Sequence, residues 1–139
     1  MVATDHAPHT DEEKAMDLEA APAGSPGVQT LYLACLQVAK ELGNVWLAPR
    51  WVCEGPAALA GLQDRKGAIA PGFDADLVIV DPKRKTKVRA QDMRSRQRHG
   101  ALEGMQFDFS IKDVLLRGES VLRSRTPRGR MIRPALVPR

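Results

Sequence analysis

Met1-Val2-Ala3-Thr4-Asp5-His6-Ala7-Pro8-His9-Thr10 opens the chain with a β-favouring stub that runs directly into acid and imidazole side chains. In parallel α/β folds, catalytic groups collect at the carboxyl ends of strands, where backbone direction delivers them to one face. A strand over Met1 to Thr4 followed by Asp5, His6 and His9 therefore predicts an α/β chain with a functional loop at a strand end. A carboxylate in that position can ligate a hard or borderline metal and can take a proton from an attacking water. A loop with an N-capping aspartate and surface histidines has the same residues, so the spacing by itself leaves both readings open.

Downstream, Pro22, Gly24, Pro26 and Gly27 mark a loop, with Ser25 as the expected N-cap and Pro26 at the first helical position. Val28, Leu31, Leu33, Cys35, Leu36, Val38, Ala39 and Leu42 then recur at helical spacing, and Gly43 stands where a C-cap belongs. Two short, buried helices are expected at Leu47–Cys53 and Pro56–Gly61, with Gly55 breaking between them. From Gly67 onward the pattern turns to strands. Asp76 to Asp81 reads as a buried strand, and Thr86–Arg89 as a short one in an otherwise solvated, charged stretch. Met105 to Ile111 alternates like a half-buried strand, and Val114–Leu116 with Ser120–Leu122 reads as a hairpin around Arg117-Gly118-Glu119. From Ser124 the chain is proline- and arginine-rich without periodicity, which reads as a loosely attached extension.

Composition narrows the function classes. Hydrophobic residues make up 43% and charged residues 27%, values of an ordinary packed protein. Aromatics are only 4%, which argues against a stacking-based nucleic-acid module. The net charge of +4 concentrates between Lys83 and Arg98 and again after Arg117, without aromatic interleaving or a recognition-helix pattern, so nucleic acid is not an expected partner. Cys35 and Cys53 lie in apolar, helix-patterned stretches and read as reduced, buried thiols. No apolar run is long enough for a membrane helix, and the start lacks a basic-then-apolar leader, so a cytoplasmic protein is expected.

Two ordered strings carry a family resemblance. The first is Thr4-Asp5-His6-Ala7-Pro8-His9-Thr10, Glu12-Glu13-Lys14, Ala21-Pro22-Ala23-Gly24 and Pro26-Gly27-Val28-Gln29-Thr30. It resembles the final barrel strand and loop of dihydroorotases. The second is Glu54-Gly55-Pro56-Ala57, Ala60-Gly61-Leu62 and Lys66-Gly67 through Asp74-Ala75-Asp76-Leu77 to Asp81. It looks like the carboxy-terminal signature of the amidohydrolase superfamily, where the chain leaves the barrel for a small β domain. The resemblance covers Val2 to about Gly118. It implies the C-terminal part of a metal-dependent (β/α)8 TIM barrel followed by strands of an accessory, sandwich-like β domain. The expected division is residues 1–66 for the last barrel strand, active-site loop and terminal helices, 67–123 for accessory strands, and 124–139 for the basic tail.

The same resemblance implies a zinc-dependent cyclic amide hydrolase, opening dihydroorotate reversibly to carbamoyl aspartate in pyrimidine biosynthesis. Asp5 would be the metal-associated general base and acid. His9 would hold the substrate carboxylate, and the backbone of Ala23 and Gly24 would meet the ring. His6 reads as packing or support for a ligand, and His99 as surface. With three histidines and no His-x-His pair, the chain does not carry the remaining ligands of a binuclear zinc site. It is therefore expected to be inactive alone and to need the amino-terminal barrel portion or a homo-oligomeric partner. Gln29 stands where many dihydroorotases have Glu, and Gly55 where Asn is usual before Pro-Ala. An allantoinase- or dihydropyrimidinase-like amidase, or a non-catalytic dihydroorotase-like subunit that scaffolds a partner, are the alternatives the resemblance leaves.

Overall fold

Residues 1–124 and 126–133 are described in a computed structural model of the chain. Of the tail expected from Ser124, Arg125 and residues 134–139 lie outside the described residues. Helices α1 (Asp11–Lys14), α2 (Leu31–Glu41), α3 (Leu47–Pro49) and α4 (Gly55–Leu59) precede strands β1 (Leu77–Asp81), β2 (Thr86–Lys87), β3 (Gln106–Phe107), β4 (Ser110–Leu116) and β5 (Glu119–Ser120). The chain is thus mixed α/β, helical first and strand-bearing afterwards. Among the described residues no helix is long and apolar enough to cross a membrane.

The expected strand at Met1–Thr4 is absent: the segment has no regular structure and is tied to the helical part by Val2 N–H donating to the Trp51 carbonyl at 3.0 Å. A strand exists only by pairing, and none of the five strands lies beside this segment to complete a ladder. Among the described residues, one isolated parallel bridge, between His6 and Ser25, shows parallel geometry.

Helix α2 begins at Leu31 rather than near Pro26, and Ser25 does not cap it. The turn before it closes instead on Gly27, whose carbonyl accepts from the Thr30 and Leu31 N–H groups at 3.1 and 2.9 Å. At the other end Gly43 behaves as its position predicts. It adopts φ +77, its N–H donates to the Lys40 carbonyl at 2.9 Å, and Asn44 N–H reaches the Ala39 carbonyl at 2.9 Å. This pair of bonds is the Schellman closure, which satisfies carbonyls the helix leaves unpaired.

Gly55 does not break the next helical stretch. Residues Arg50–Glu54 form a π turn that joins α3 to α4 without interruption, with Gly55 at φ −59 and its N–H bonded to the Arg50 carbonyl. Pro56 explains the widened turn. A proline lacks the N–H for an ordinary i→i−4 bond and clashes with that carbonyl, and one i→i+5 step accommodates both defects. Burial here is also less than expected, with Ala48 and Ala57 buried but Leu59 74% exposed.

The core joins the two parts of the chain. Leu33, Cys35, Leu36 and Ala39 of α2, with Ala48, pack against Val88, Met93, Phe107 and Phe109. Two of these residues come from the charged stretch, so Val88 and Met93 pin it to the core while most of its basic side chains stay outside. Cys35 is buried and Cys53 half-buried, both as free thiols, and burial pushes both up from the ordinary thiol value.

Strand β1 pairs antiparallel with β4, from Leu77 opposite Leu115 to Asp81 opposite Ser110, with a bulge that leaves Lys112 unpaired. Contrary to expectation β1 is not buried: it is an edge strand, and Val78 and Ile79 are 45% and 41% exposed. The alternating stretch from Met105 splits into β3, paired with β2, and β4, paired with β1. The hairpin closes as expected through Arg117 and Gly118, whose φ values of 50 and 81 fit a two-residue loop with both residues left-handed.

The string Lys66 to Asp76 has a structural purpose visible in its ion pairs. Arg65 and Lys66 both hold Asp74, with Lys66 Nζ at 2.7 Å, and Lys66 also pairs with Asp76. Asp76 in turn accepts from the Arg117 N–H at 2.7 Å, and Gly118 N–H donates to the Ala75 carbonyl at 2.8 Å. The acidic string therefore anchors the hairpin turn. A second bridge joins α2 to the strands: Asp108 accepts from Lys40 at 2.6 Å and faces Lys85 at 3.2 Å.

Those two ammonium groups, Lys40 first, hold the Asp108 carboxyl down at about 2, against an ordinary 3.8. A depressed folded-state value stabilises the fold above the unfolded value and loses that contribution as pH falls towards the folded one. Wild type is expected to unfold at a higher temperature than Asp108→Asn at about pH 6, with the gap closing as pH falls from about 4 to about 2. Thermal unfolding of both proteins across that range checks it.

Candidate active site

The segment after Thr4 is shaped by its own short-range bonds. Thr10 caps α1, its Oγ1 accepting from Glu13 N–H at 3.1 Å while Glu13 Oε2 accepts from Thr10 N–H at 2.9 Å. This reciprocal capping box needs only a Thr three residues before a Glu. It fixes the direction in which residues 5–9 leave the helix. Asp5, exposed, takes a left-handed conformation with φ 44, which aspartate tolerates better than most residues.

The loop from Ala21 to Val28 lies against this segment. His6 Nδ1 accepts from the N–H groups of Gly27 and Val28 at 3.0 and 3.3 Å, so its proton sits on Nε2. Ala7 N–H donates to the Ser25 carbonyl at 3.3 Å. His9 Nε2 lies 3.0 Å from the Ala23 carbonyl, and Lys14 Nζ donates to the Pro22 carbonyl at 2.7 Å. Gly24 is the close-approach point: a Cβ there would stand 2.3 Å from the Ala7 carbonyl oxygen and 3.1 Å from His9 Cδ2, at φ +135. Its lack of a side chain serves the contact between the two segments, with the Ala7 carbonyl filling that space.

Of the four sequence-predicted residues, His9, Ala23 and Gly24 are brought into one cluster, and Asp5 sits one residue before the His6–Ser25 bridge that zips the same two segments. His99 is exposed as expected but paired, its Nδ1 2.9 Å from Glu103 Oε2, and that carboxylate raises it above the ordinary imidazole value. The charge of Asp11 adds to the effect.

Sequence reasoning missed four further contributors. Glu13 and Lys14 hold His9 and Pro22, and the Thr10-x-x-Glu13 spacing was the available signal for the first. Ser25 Oγ accepts from Ala101 N–H at 2.9 Å. Gln29 uses both ends of its amide, donating to the Asp92 carbonyl at 2.9 Å and accepting from Arg94 N–H at 2.9 Å. No local pattern announces the contacts of Ser25 and Gln29, which join residues more than sixty positions apart.

The Gln29 pairing has a direct consequence. A carboxylate at that position accepts from Arg94 N–H but turns an oxygen towards the Asp92 carbonyl. Gln29→Glu is therefore expected to lower stability by about 1 kcal/mol, the net worth of one such bond. Chemical denaturation reads the change.

Among the described residues no group of three or more His, Cys, Asp or Glu side chains is arranged to hold a metal ion. An open cavity of about 490 Å³ lies elsewhere, lined by Met1, Leu47, Trp51, Glu54 and neighbours, and contains none of the four predicted site residues. The arrangement is thus an imidazole clamped against Ala23 and Gly24, with an exposed carboxylate four residues before it in the chain.

Residues 1–121 match the family described as "Amidohydrolase family". The chain is 41% identical over 127 residues to a dihydroorotase of Methanosarcina acetivorans, an alignment covering 87% of this chain and 26% of that protein. It is 34% identical over 146 residues to a D-hydantoinase of Streptomyces coelicolor, covering 100% of this chain and 31% of that protein. Among solved structures, the D-hydantoinase of a Bacillus sp. AR9 superposes with a TM-score of 0.76 at 28% identity, covering 84% of this chain and 27% of that one. The chain spans between a quarter and a third of the length of these relatives.

Proposed function

The chain belongs to the amidohydrolase family, and we propose on that basis that it supplies the Asp5–His9 loop of a dihydroorotase-like cyclic amide hydrolase. One observation carries the reading: Asp5 stands exposed directly before a loop in which His9 is clamped against Ala23 and Gly24. In this reading residues 1–66 close a (β/α)8 barrel and residues 67–123 belong to its accessory β domain. The large exposed side chains of Val28, Leu42, Trp46 and Leu59 on the helical part support it, because a surface of that kind is usually covered by further protein.

Ring opening adds water across the amide. A C–O bond forms at the carbonyl carbon, the ring C–N bond breaks, and one proton must move from water to the departing nitrogen. Asp5 is suited to that transfer as an exposed carboxylate, taking the proton first and returning it to the nitrogen. His9 would meet the carboxylate of dihydroorotate through Nε2, in place of the Ala23 carbonyl it now faces. The backbone at Ala23 and Gly24 would lie along the ring.

Zinc, which the dihydroorotase likeness implies, does not fit the residues present. Asp5 offers one carboxylate, His6 Nδ1 is taken by two backbone N–H groups, and a zinc centre needs at least three protein ligands. The others would have to come from outside these 139 residues.

The likeness to D-hydantoinases favours a second reading, in which the ring carries no carboxylate. Substrate comparison separates the two. The corresponding quarter of the Methanosarcina acetivorans dihydroorotase is replaced by this chain, and dihydroorotate is compared with dihydrouracil. Preference for dihydroorotate, lost in His9→Ala, supports the first reading. Equal or better turnover of the uncharged ring overturns it.

A further inference from the structure

We propose that Glu13 is a positioning residue for His9, holding the imidazole by Nδ1 so that Nε2 is presented to the Pro22–Gly24 side of the loop, where a ligand oxygen would replace the Ala23 carbonyl. The kinetic meaning of the proposal rests on the reading of His9 as the substrate-carboxylate ligand, whereas the ring orientation itself does not.

The carboxylate of Glu13 is placed before His9 is considered. Its Oε2 accepts from Thr10 N–H at 2.9 Å, and Glu13 N–H returns a bond to Thr10 Oγ1 at 3.1 Å, so the start of α1 sets its position. The same oxygen lies 3.3 Å from His9 Nδ1. On the opposite edge of the ring Nε2 is 3.0 Å from the Ala23 carbonyl. Carboxylate and carbonyl oxygens only accept, so a ring nitrogen bonds to either one only where it carries the proton, and both bonds together require both nitrogens protonated. The Thr10 N–H, above all, holds the Glu13 carboxyl below its ordinary value and keeps it an acceptor.

An anionic oxygen arriving at Nε2 exchanges one acceptor for another, and the ring need not turn to receive it. Without Glu13 the imidazole loses the contact that fixes which edge faces the loop. The side chains of His9 and Glu13 are 28% and 49% exposed, so solvent screens the pair and its value lies in orientation more than in stability. Lys14 adds to the arrangement from the next position by holding the Pro22 carbonyl at 2.7 Å. Two consecutive residues of α1 thereby grip both sides of the His9–Ala23 contact.

Ring-nitrogen NMR of the full ¹⁵N-labelled chain tests the proposal in wild type, Glu13→Gln and Glu13→Ala. His6, with an accepting Nδ1, and His99, paired with Glu103, serve as internal references. In wild type the His9 Nδ1 signal is expected to be that of a donor. Glu13→Gln retains the oxygen that serves the capping bond but removes its charge, so the Thr10 amide should hold its position while His9 Nδ1 shifts with the weakened acceptor. Glu13→Ala should carry the His9 nitrogens to the averaged pattern of a free imidazole and move the Ala23 and Gly24 amides. His9 nitrogens that stay unchanged in Glu13→Gln, with the references also unchanged, overturn the proposal even if Glu13→Ala unfolds α1. A wild-type enzyme that opens no cyclic amide would overturn the proposed function and leave the NMR result standing.

Discussion

Gly24→Val is expected to separate the two segments that form the site, lowering stability by about 2–4 kcal/mol, the sum of left-handed strain and a forced backbone contact. The first added carbon would stand 2.3 Å from the Ala7 carbonyl oxygen, a distance real Cβ contacts essentially never show. Backbone is on both sides of the clash, so no flexible side chain can swing away to relieve it. The φ of +135 compounds the problem, because a β-branched residue is strained there whatever the space. The loop must move, and the His9–Ala23 contact at 3.0 Å moves with it. Thermal unfolding reads the first effect, and loss of the His9 ring-nitrogen signature reads the second. Gly43→Ala provides the contrast: a Cβ there meets nothing within 4 Å, so only the cost of its φ of +77 remains.

Asp5→Asn is expected to do the opposite, leaving the fold intact while lowering ring opening by the proposed enzyme completed around this chain by about 10²–10⁴-fold, the usual worth of a general acid–base group. Asp5 is exposed, and asparagine is as tolerant as aspartate of the left-handed conformation it holds at φ 44. The substitution therefore removes proton-accepting ability with little structural consequence. Equal melting temperatures with a collapsed rate would separate chemistry from stability. A variant with near wild-type turnover would remove Asp5 from the proposed mechanism.

The sequence announced most of what depends on neighbours a few residues away. Gly43 as a helix end and Arg117-Gly118 as a hairpin turn are visible because their backbone conformations demand particular residue types. The resemblance implied that His9, Ala23 and Gly24 serve one site, and His9 lies against Ala23 and Gly24. What went unread depends on partners. Met1–Thr4 has β-favouring residues but no neighbouring strand to pair with, and β1 has an apolar run but lies at a sheet edge. Gly55 looks like a breaker, yet the defect at Pro56 is absorbed by one widened turn. Val88 and Met93 sit among charges and still reach the core, because burial follows which side chain points inward and not the average of its surroundings.

The contacts of Gln29 and Ser25 show the same limit for the site. Each is a polar side chain in a turn-rich segment, and each ties the loop to backbone in the 92–101 stretch. That stretch carries Arg94, Arg96 and Arg98, so its apparent isolation as a charged surface run gives way to a structural attachment beside the site loop.

The most direct measurement is the rate of dihydroorotate ring opening by the Methanosarcina acetivorans enzyme whose matching quarter is replaced with this chain, alongside the same protein carrying Asp5→Asn. A folded chimera that opens the ring is expected, with an Asp5→Asn counterpart that folds equally well and is slower by about 10²–10⁴-fold. A folded chimera that leaves dihydroorotate intact, or one whose rate is untouched by Asp5→Asn, would contradict the proposed role of this chain.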